Sequence, residues 1–390
     1  MNWVLTILTA GWLWWQGLQP TWNAHLQVDI WVFWERINYW LVHNHSFAGL
    51  TGNEVLPSAL LYLFIPAALV PVGSLAYANY LPAAMLVNMV VLAGHWFFYR
   101  DKAIFWTCLL ALGPILLFRF DGLVTLLMLF GGVAFIKRNY PLSGFFWGLA
   151  TATKVFPVIV VPYMLLILMA QRNWREMVRF LIGFGEALLL PVIIFVAMGG
   201  DMEQVSAALA FHSQKLISIE SIPGSWITGW SLLRSGVPPA ILPGNGIWAV
   251  AGPAELLNRL WIVPVALFYY LVWKRKDLIK QFNWSVVLSL LLVFLAVSKN
   301  LNPQYLWWYA AFLPLTKPTK LSWVLTLGVL LLNQLVFPLY YTLFVENFYR
   351  QNESHWIFYL LLLRNVGLVA ITYLSLKQLF SKPSKRENNP

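Results

Sequence analysis

The few ionisable side chains of this sequence lie beside or within long apolar runs, where a charge is costly and usually marks function or an ion pair. Asp29 follows the first apolar run, residues 3–18, and precedes a segment rich in aromatic residues. A carboxylate there can act as a general base that takes the proton of an acceptor hydroxyl at the membrane surface. Glu35 and Glu54 compete for this role, and the alternative for Asp29 is a solvated acid in a loop.

Cationic candidates lie at the boundaries of later apolar runs. Arg119 and Asp121 flank Phe120, so they form either an ion pair that caps a helix or a phosphate-binding arginine held by an acid. Lys154 lies in the segment GLATATKVFP with no acidic residue nearby in sequence. Such a lysine must extend to the surface, pair with an acid or bind an anion. Helix breakage at Pro157 frees polar backbone beside it, and this favours a functional role.

Two later polar segments hold the remaining candidates: His212, Lys215 and Glu220 in FHSQKLISIES, and Lys299 and Gln304 in SKNLNPQYLWW. A histidine, a lysine and a glutamate together suit a phosphate or sugar site, although an ordinary polar loop has the same composition. For the second segment, the alternative is a tight turn whose proline begins the next helix.

These side chains must be positioned by helices, because the chain is too apolar for a water-soluble surface. Hydrophobic residues make up 60% of the 390 residues and charged residues 11%, whereas about 25% is usual for charged residues in soluble domains. Apolar runs of membrane-segment length recur from end to end. They predict an all-α integral membrane protein, a single domain over residues 1–380 with about 11–13 membrane segments. The candidate segments are residues 3–18, 57–75, 80–99, 103–118, 121–136, 141–155, 156–171, 177–198, 255–273, 284–299, 303–316, 320–344 and 356–378.

The net charge of +11 is spread over short basic clusters between the apolar runs. This is the positive-inside pattern, and it argues against a single patch that binds nucleic acid. The basic tail 381–390 predicts a cytoplasmic C-terminus, from which the segment 199–254 is an outer loop. The other long connection, 19–56, is predicted on the same side, with a helix over residues 30–45 lying on the membrane. The alternation of sides along the chain is consistent if one early segment is not a full span, and the region 141–171 is the candidate.

The sequence contains no recognisable motif for nucleotide-driven chemistry. There is no P-loop, no Gly-x-Gly-x-x-Gly, no His-Glu-x-x-His and no serine nucleophile motif. The single cysteine, Cys108, excludes an internal disulfide and a zinc cluster. The absence of these motifs argues against a protein that is driven by ATP.

The stretch from Arg119 to Leu165 resembles the central signature of glycosyltransferase family 87. The matching features are an aromatic–Asp pair, a basic turn, a glycine-rich helix and a Lys-aromatic-Pro step: Phe120-Asp121, Lys137-Arg138, Gly144 with Gly148, and Lys154 to Pro157. FHSQKLISIES is similar to the family's His-x-x-Arg-x-x-x-x-Glu-Ser loop, with Lys215 in place of arginine. SKNLNPQYLWW is similar to its Ser-Lys-x-x-Ser-Pro-Gln-Tyr step, with Asn302 in place of serine. The first loop is similar through Asp29 and the segment 54–57, and departs from the pattern at Val55 and Leu56.

The resemblance implies a membrane enzyme of the GT-C fold that moves a hexose, mannose first among candidates, from a polyprenol phosphate to a glycolipid or glycan acceptor outside the plasma membrane. It implies that Asp29 is the general base. It also implies that cationic side chains stabilise the departing phosphate, so that no cofactor is required and a divalent cation is optional. The residues assigned to the donor phosphate and substrate are Arg119, Asp121, Lys154, His212, Lys215, Glu220, Lys299 and Gln304.

Two other classes compete with this interpretation. A transporter or lipid flippase often has internal repeats with matching broken helices, and no clear repeat is present in the sequence. A scaffold subunit would need neither the clustered cations nor an acid near one face. The glycosyltransferase hypothesis predicts that Asp29 and the loop 199–254 converge, with Arg119 or Lys154 pointing into the same groove.

Overall fold

The first half of the computed structural model is a series of helices, several of which have proline in their first turn. The ring fixes φ, and a residue of the first turn has no intrahelical partner for an amide hydrogen, so Pro20 and Pro57 begin helices readily. The structure describes residues 2–50, 55–71, 75–99, 102–244 and 247–381. The helices of this half are α1 (Asn2–Leu18), α2 (Pro20–Val42), α3 (Pro57–Tyr62), α4 (Phe64–Ala68), α5 (Tyr77–His95), α6 (Lys102–Leu112), α7 (Asp121–Ile136), α8 (Tyr140–Thr153), α9 (Val161–Ala170) and α10 (Trp174–Ala197), with 3-10 turns at Trp96–Phe98, Pro114–Phe118 and Phe156–Val160.

The predicted first long connection, 19–56, is mostly helix. A helix was expected over residues 30–45, and α2 begins ten residues earlier because Pro20 starts it and no helix breaker follows before its end at Val42. The helix is long enough to carry Asp29 near its middle. The candidate base therefore lies on regular secondary structure and not in a loop.

The segment 199–254 contains helices and a small sheet. Its elements are α11 (Met202–Ser213), β1 (Ile217–Ser218), α12 (Ile222–Ser235), β2 (Ile241–Gly244) and β3 (Ile247–Val250), followed by α13 (Ala254–Leu260). Both pairings are antiparallel, in the order β1-β3-β2, with Ile217 opposite Val250 and Ile241 opposite Val250 on the other side. The all-α prediction missed this sheet because strands of two to four residues are too short to show an alternating pattern.

A capping box at the start of α11 ties this segment to the first connection. Asp201 accepts from the Gln204 amide (2.8 Å), and the Gln204 side chain accepts from the Asp201 amide (3.0 Å). The amide nitrogen of the Gln204 side chain then donates to the carbonyls of Phe47 (2.9 Å) and Leu50 (3.0 Å). The two long connections of the sequence are thereby joined.

The last third is α14 (Ile262–Lys274), α15 (Trp284–Val297), α16 (Trp307–Ala310), α17 (Lys320–Gln334) and α18 (Trp356–Phe380), with 3-10 turns at Lys276–Ile279, Pro303–Leu306 and Leu313–Leu315 and π-helical turns at Leu335–Leu339 and Leu343–Arg350. The candidate segment 303–316 is not one helix. Pro303 and Pro314 each begin a new turn, and Trp307 and Tyr309 are fully buried. This segment is a core element of short turns and is not of spanning length.

Among the described residues, four helices are long and apolar enough to cross a membrane: Tyr77–Phe98, Trp174–Ala197, Lys320–Leu339 and Trp356–Phe380. Shorter apolar helices are Pro57–Ala68, Lys102–Leu112, Asp121–Ile136, Phe156–Ala170, Ile262–Lys274 and Trp284–Val297. The long helices expose large apolar side chains such as Leu189, Ile193, Leu363 and Val366, and extended apolar surface of this kind is rare on soluble monomers. The helical class is confirmed, and these helices indicate a membrane-associated protein.

Helices α8 and α10 approach each other more closely than side chains would allow. A Cβ added at Gly144 would overlap the carbonyl of Phe180, and one at Gly183 would overlap the carbonyl of Pro141. Glycine on both facing surfaces lets the two backbones touch, which is a common way to pack helices in membranes.

Candidate functional site

The candidate base Asp29 is ion-paired to Arg119. Arg119 Nε lies 2.6 Å from Asp29 Oδ2, and the acid is partly exposed while the arginine is buried. The Nε atom makes no directed hydrogen bond among the described residues, so charge attraction holds this contact. Arg119 Nη1 donates to the carbonyls of Leu26 and Phe118, both at 2.9 Å. The guanidinium is therefore fixed between α2 and the turn that precedes α7.

The Asp29–Arg119 pair opens into a cavity of about 360 Å³. Four predicted site residues line it: Asp29, Arg119, Glu220 and Gln304. The other lining residues come from α2, from the small sheet, from residues 302–303 before α16 and from residues 337–341 after α17: His25, Val28, Ser218, Pro243, Ile247, Trp248, Asn302, Pro303, Phe337 and Tyr341. The expected convergence of Asp29 with the segment 199–254, and of Arg119 with both, is present.

Glu220 is a second carboxyl in this wall, and it is buried at the start of α12. Burial raises the pKa of Glu220 to about 7, while the nearby Arg364 charge and a hydrogen bond with Tyr341 oppose the rise. A carboxyl with such a pKa changes protonation near neutral pH. The cavity thus holds one ion-paired acid and one acid that can gain or lose a proton.

A buried polar network behind Glu220 centres on Arg364 in α18. Arg364 donates to the backbone carbonyl of Glu220, to Asn333 Oδ1 (2.9 Å) and to Asn365 Oδ1 (2.8 Å). Asn365 Nδ2 also donates to Ser225 Oγ (2.6 Å). The sequence prediction did not include Arg364 or its two asparagine partners. A single arginine in the apolar run FYLLLLRNVGLVA is the signal that could have identified it.

Lys154 and Asp121 pair with each other in a buried aromatic pocket. Lys154 Nζ lies 2.7 Å from Asp121 Oδ1, which also accepts from Trp308 Nε1 at 2.5 Å. The ammonium faces the rings of Tyr305 (4.7 Å), Trp308 (5.2 Å) and Phe120 (5.4 Å). Neither charged residue is among the described lining of the cavity. The arrangement resembles a structural ion pair more closely than an open phosphate site.

Lys299 and Lys215 lie next to the strand that carries Ser218 and do not line the cavity. Lys299 Nζ donates to the carbonyl of Ser213 (3.2 Å) and to that of Lys215, and its own carbonyl accepts from the Ser218 amide (2.9 Å). Lys215 is buried with Nζ 5.1 Å from the ring of Phe211. Neither lysine is among the described lining residues. His212 lies in α11, and its side chain is outside the described part of the structure.

The competing acids of the first connection do not share this cavity. Glu35 is exposed, further along α2, and is not among the described lining residues. Glu54 lies outside the described residues. Within the described ranges, no three His, Cys, Asp or Glu side chains are grouped to hold a metal ion.

Comparisons of the chain with protein-family models, with curated proteins and with solved structures return no match.

Proposed function

We propose that this protein is a membrane glycosyltransferase that moves a hexose, with mannose as the first candidate, from a polyprenol-phosphate donor to a lipid or glycan acceptor. The observation that carries the proposal is the cavity where Asp29, Arg119, Glu220 and Gln304 meet. An acid, a cation and an amide around one space of about 360 Å³ suit a sugar phosphate, since carboxylates and amides bind hydroxyls and a guanidinium binds phosphate oxygens. The sequence resemblance to family 87 supports the same chemistry.

The proposed reaction is one displacement at the anomeric carbon. The acceptor oxygen forms a bond to that carbon while the bond from the carbon to the phosphate oxygen breaks. The lipid phosphate leaves with the electron pair, and Asp29 takes the proton of the attacking hydroxyl. No nucleotide takes part, which agrees with the absence of nucleotide-binding motifs in the sequence.

Arg119 has a second task in this proposal. In the structure its guanidinium is 2.6 Å from the acid that is proposed as the base. A donor phosphate entering the cavity competes with Asp29 for that cation, because both are oxygen anions that prefer a guanidinium partner. Donor binding thus loosens the pair, frees the carboxylate to accept a proton, and leaves Arg119 to stabilise the departing phosphate.

In the same cavity, the carboxyl group of Glu220 can bind a sugar hydroxyl in either its neutral or its ionised form. With its pKa near 7, the protonated form donates a hydrogen bond to a sugar hydroxyl and the ionised form accepts one. We assign it to substrate binding, with Gln304. If Asp29 is not the base, Glu220 is the next acid in reach of the cavity.

The finer membrane arrangement belongs to the same proposal. It comprises a GT-C fold, about 11–13 membrane segments, a site on the extracytoplasmic side and a cytoplasmic C-terminus in the plasma membrane. The joining of residues 47–50 to α11 supports one shared outer region for the two long connections.

The test is sugar transfer in membranes that contain the wild-type chain, with radiolabelled polyprenol-phosphate mannose, polyprenol-phosphate glucose and a nucleotide sugar, each supplied with a broad lipid extract. The proposal expects transfer from a lipid phosphate and none from the nucleotide sugar. Glu220→Gln, a neutral isostere, is expected to raise the KM for the donor with little change in kcat. If no lipid-phosphate donor supports transfer while labelled lipid crosses the bilayer, the flippase alternative replaces this proposal.

A further inference from the structure

A second cavity, of about 270 Å³, lies at the far end of α18 from the site described above. Its walls come from the turn after α14, the first half of α15, the start of α17 and the last turns of α18. Arg364 lies beside Glu220, whereas Gln378 lines this second cavity. Fourteen residues separate them on one helix, roughly 21 Å at 1.5 Å per residue. The two cavities are therefore distinct.

The walls of this cavity combine buried apolar side chains with polar groups. Leu288, Leu292 and Ile371 are buried in it, while Ser375 and the exposed Gln378 add a hydroxyl and an amide. A purely apolar cavity would suit an acyl chain or a neighbouring helix. The mixture suits a molecule with a polar head and the beginning of an apolar tail, in a volume slightly below the range of about 300–1,000 Å³ that holds drug-sized ligands.

Basic residues are concentrated on the segments that form this cavity, and we refer to them as the basic collar. Among the described residues, seven cations and one acid lie on the lining segments or next to them in sequence: Lys274, Arg275, Lys276, Lys280, Lys317, Lys320 and Lys377, with Asp277. Seven positive charges and one negative charge give the collar +6. Arg275 is neutralised by Asp277 at 2.9 Å, and none of the six lysines forms an ion pair within the described residues. The excess positive charge is therefore unmatched by protein carboxylates.

We propose that this cavity binds the headgroup of an anionic phospholipid. The lipid phosphate faces the collar lysines. Lys317 and Lys377 are the first candidates because they adjoin the lining residues Thr316, Pro318 and Gln378. Lys274 and Lys276 also adjoin lining residues, but their ammonium groups lie over the rings of Tyr270 and Trp273. The Ser375 hydroxyl bonds that of Ser289 (2.7 Å), and Gln378 Nε2 donates one hydrogen to the Lys317 carbonyl (2.8 Å). The second amide hydrogen of Gln378 is then the donor for a glycerol or ester oxygen, and the first acyl carbons pack on the leucines. Basic pockets between membrane helices bind lipid headgroups in this way.

The test compares two variants of equal charge change in the full-length protein. Lys317→Gln/Lys377→Gln removes two exposed cations of the collar. Lys137→Gln/Arg175→Gln removes one exposed cation from the turn after α7 and one from the first turn of α10. Both pairs lie at one end of the molecule, since Gln171 beside α10 donates to the Lys280 carbonyl (2.9 Å). All four side chains are exposed and make no ion pair among the described residues, so folding is expected to survive.

Binding of phosphatidylglycerol, of phosphatidylcholine and of inorganic phosphate to the purified protein in neutral detergent would be measured by native mass spectrometry. We expect phosphatidylglycerol to bind in preference to phosphatidylcholine. The collar variant should weaken phosphatidylglycerol binding about thirtyfold, which corresponds to about 1 kcal/mol per lysine, and the control variant should bind as wild type. Equal weakening in both variants would show only general surface attraction. Equal binding of inorganic phosphate would make this an anion site without lipid selectivity, and either result would overturn the proposal.

Discussion

Removal of the Lys154 ammonium tests whether that residue supports the fold or binds the donor. In Lys154→Met, the buried Asp121 carboxylate loses its 2.7 Å ionic partner and, among the described residues, keeps the Trp308 donor at 2.5 Å alone. Breaking a buried pair by removing one partner typically destabilises a protein by about 3–5 kcal/mol, because the remaining charge is uncompensated. The Asp121 side chain is 1% exposed and that of Lys154 is 16% exposed. We therefore expect about 3 kcal/mol, the lower end of that range.

The double variant Lys154→Met/Asp121→Asn supplies the matched control. Asparagine keeps an oxygen that can accept from Trp308 Nε1 and carries no charge, so the uncompensated anion is gone. We expect this variant to recover about half or more of the lost stability, with a coupling free energy of roughly 2 kcal/mol between the two sites.

Both variants would be assayed by denaturant unfolding in detergent and by sugar transfer per folded molecule. A structural pair predicts that Lys154→Met loses stability while the folded fraction keeps transfer activity, and that the double variant regains stability. If Lys154→Met unfolds like the wild type and yet loses transfer, the reasoning from burial is wrong. Lys154 would then be a donor-binding residue, as the sequence predicts.

Three further predictions concern stability. Burial raises the pKa of Glu220 from 4.5 to about 7, so its contribution to stability is fully present below pH 4.5 and is lost as the pH rises through 7. Relative to Glu220→Gln, the unfolding free energy of the wild type should fall by about 3 kcal/mol between pH 4.5 and 8, measured by denaturant unfolding. Parallel pH profiles of the two proteins would refute this. Arg364→Met leaves buried acceptors without their donor and should lower the unfolding free energy by about 3 kcal/mol, whereas an unchanged denaturation midpoint would show that the network carries no stability. Gly144→Ala should destabilise by about 1–3 kcal/mol in thermal unfolding, because its methyl group meets the Phe180 carbonyl. Gly185→Ala, with open space around its Cβ, should be neutral or stabilising by up to about 1 kcal/mol, and equal effects of the two glycine variants would contradict the packing argument.

Helix identity was largely predictable from the sequence, because apolar runs and prolines determine it locally. The apolar runs indicate the helical class, and Pro57 begins a helix at the first residue of the predicted segment 57–75. The start of α2 at Pro20 was not predicted, because the polar residues of 19–56 favoured a connection. The segment 303–316 misled the prediction because apolar composition alone does not separate a membrane segment from buried short turns. A membrane segment and a buried run of short turns both have hydrophobic side chains throughout. The break in the helix at the turn that contains Pro314 identifies this segment as short turns.

Site residues were predictable by type more readily than by partner. Asp29 and Arg119 were both candidates, but they lie ninety residues apart, and their ion pair depends on how α2 packs against the turn before α7. The same holds for Lys154, which has no acid nearby in sequence and pairs with Asp121 across 33 residues. Arg364 was missed because it was read as part of an apolar segment, although a buried arginine in such a helix needs several acceptors.

The most direct test of the proposed function is transfer from radiolabelled polyprenol-phosphate mannose by the wild type, Asp29→Asn and Glu35→Gln at equal expression. Both variants remove one carboxylate from α2, but only Asp29 lines the cavity with Arg119. The proposal predicts that Asp29→Asn reduces transfer at least about a hundredfold, the usual scale for a general base, and that Glu35→Gln transfers like the wild type. Full transfer by Asp29→Asn, or an equal loss in both variants, would contradict the assignment of catalysis to this cavity.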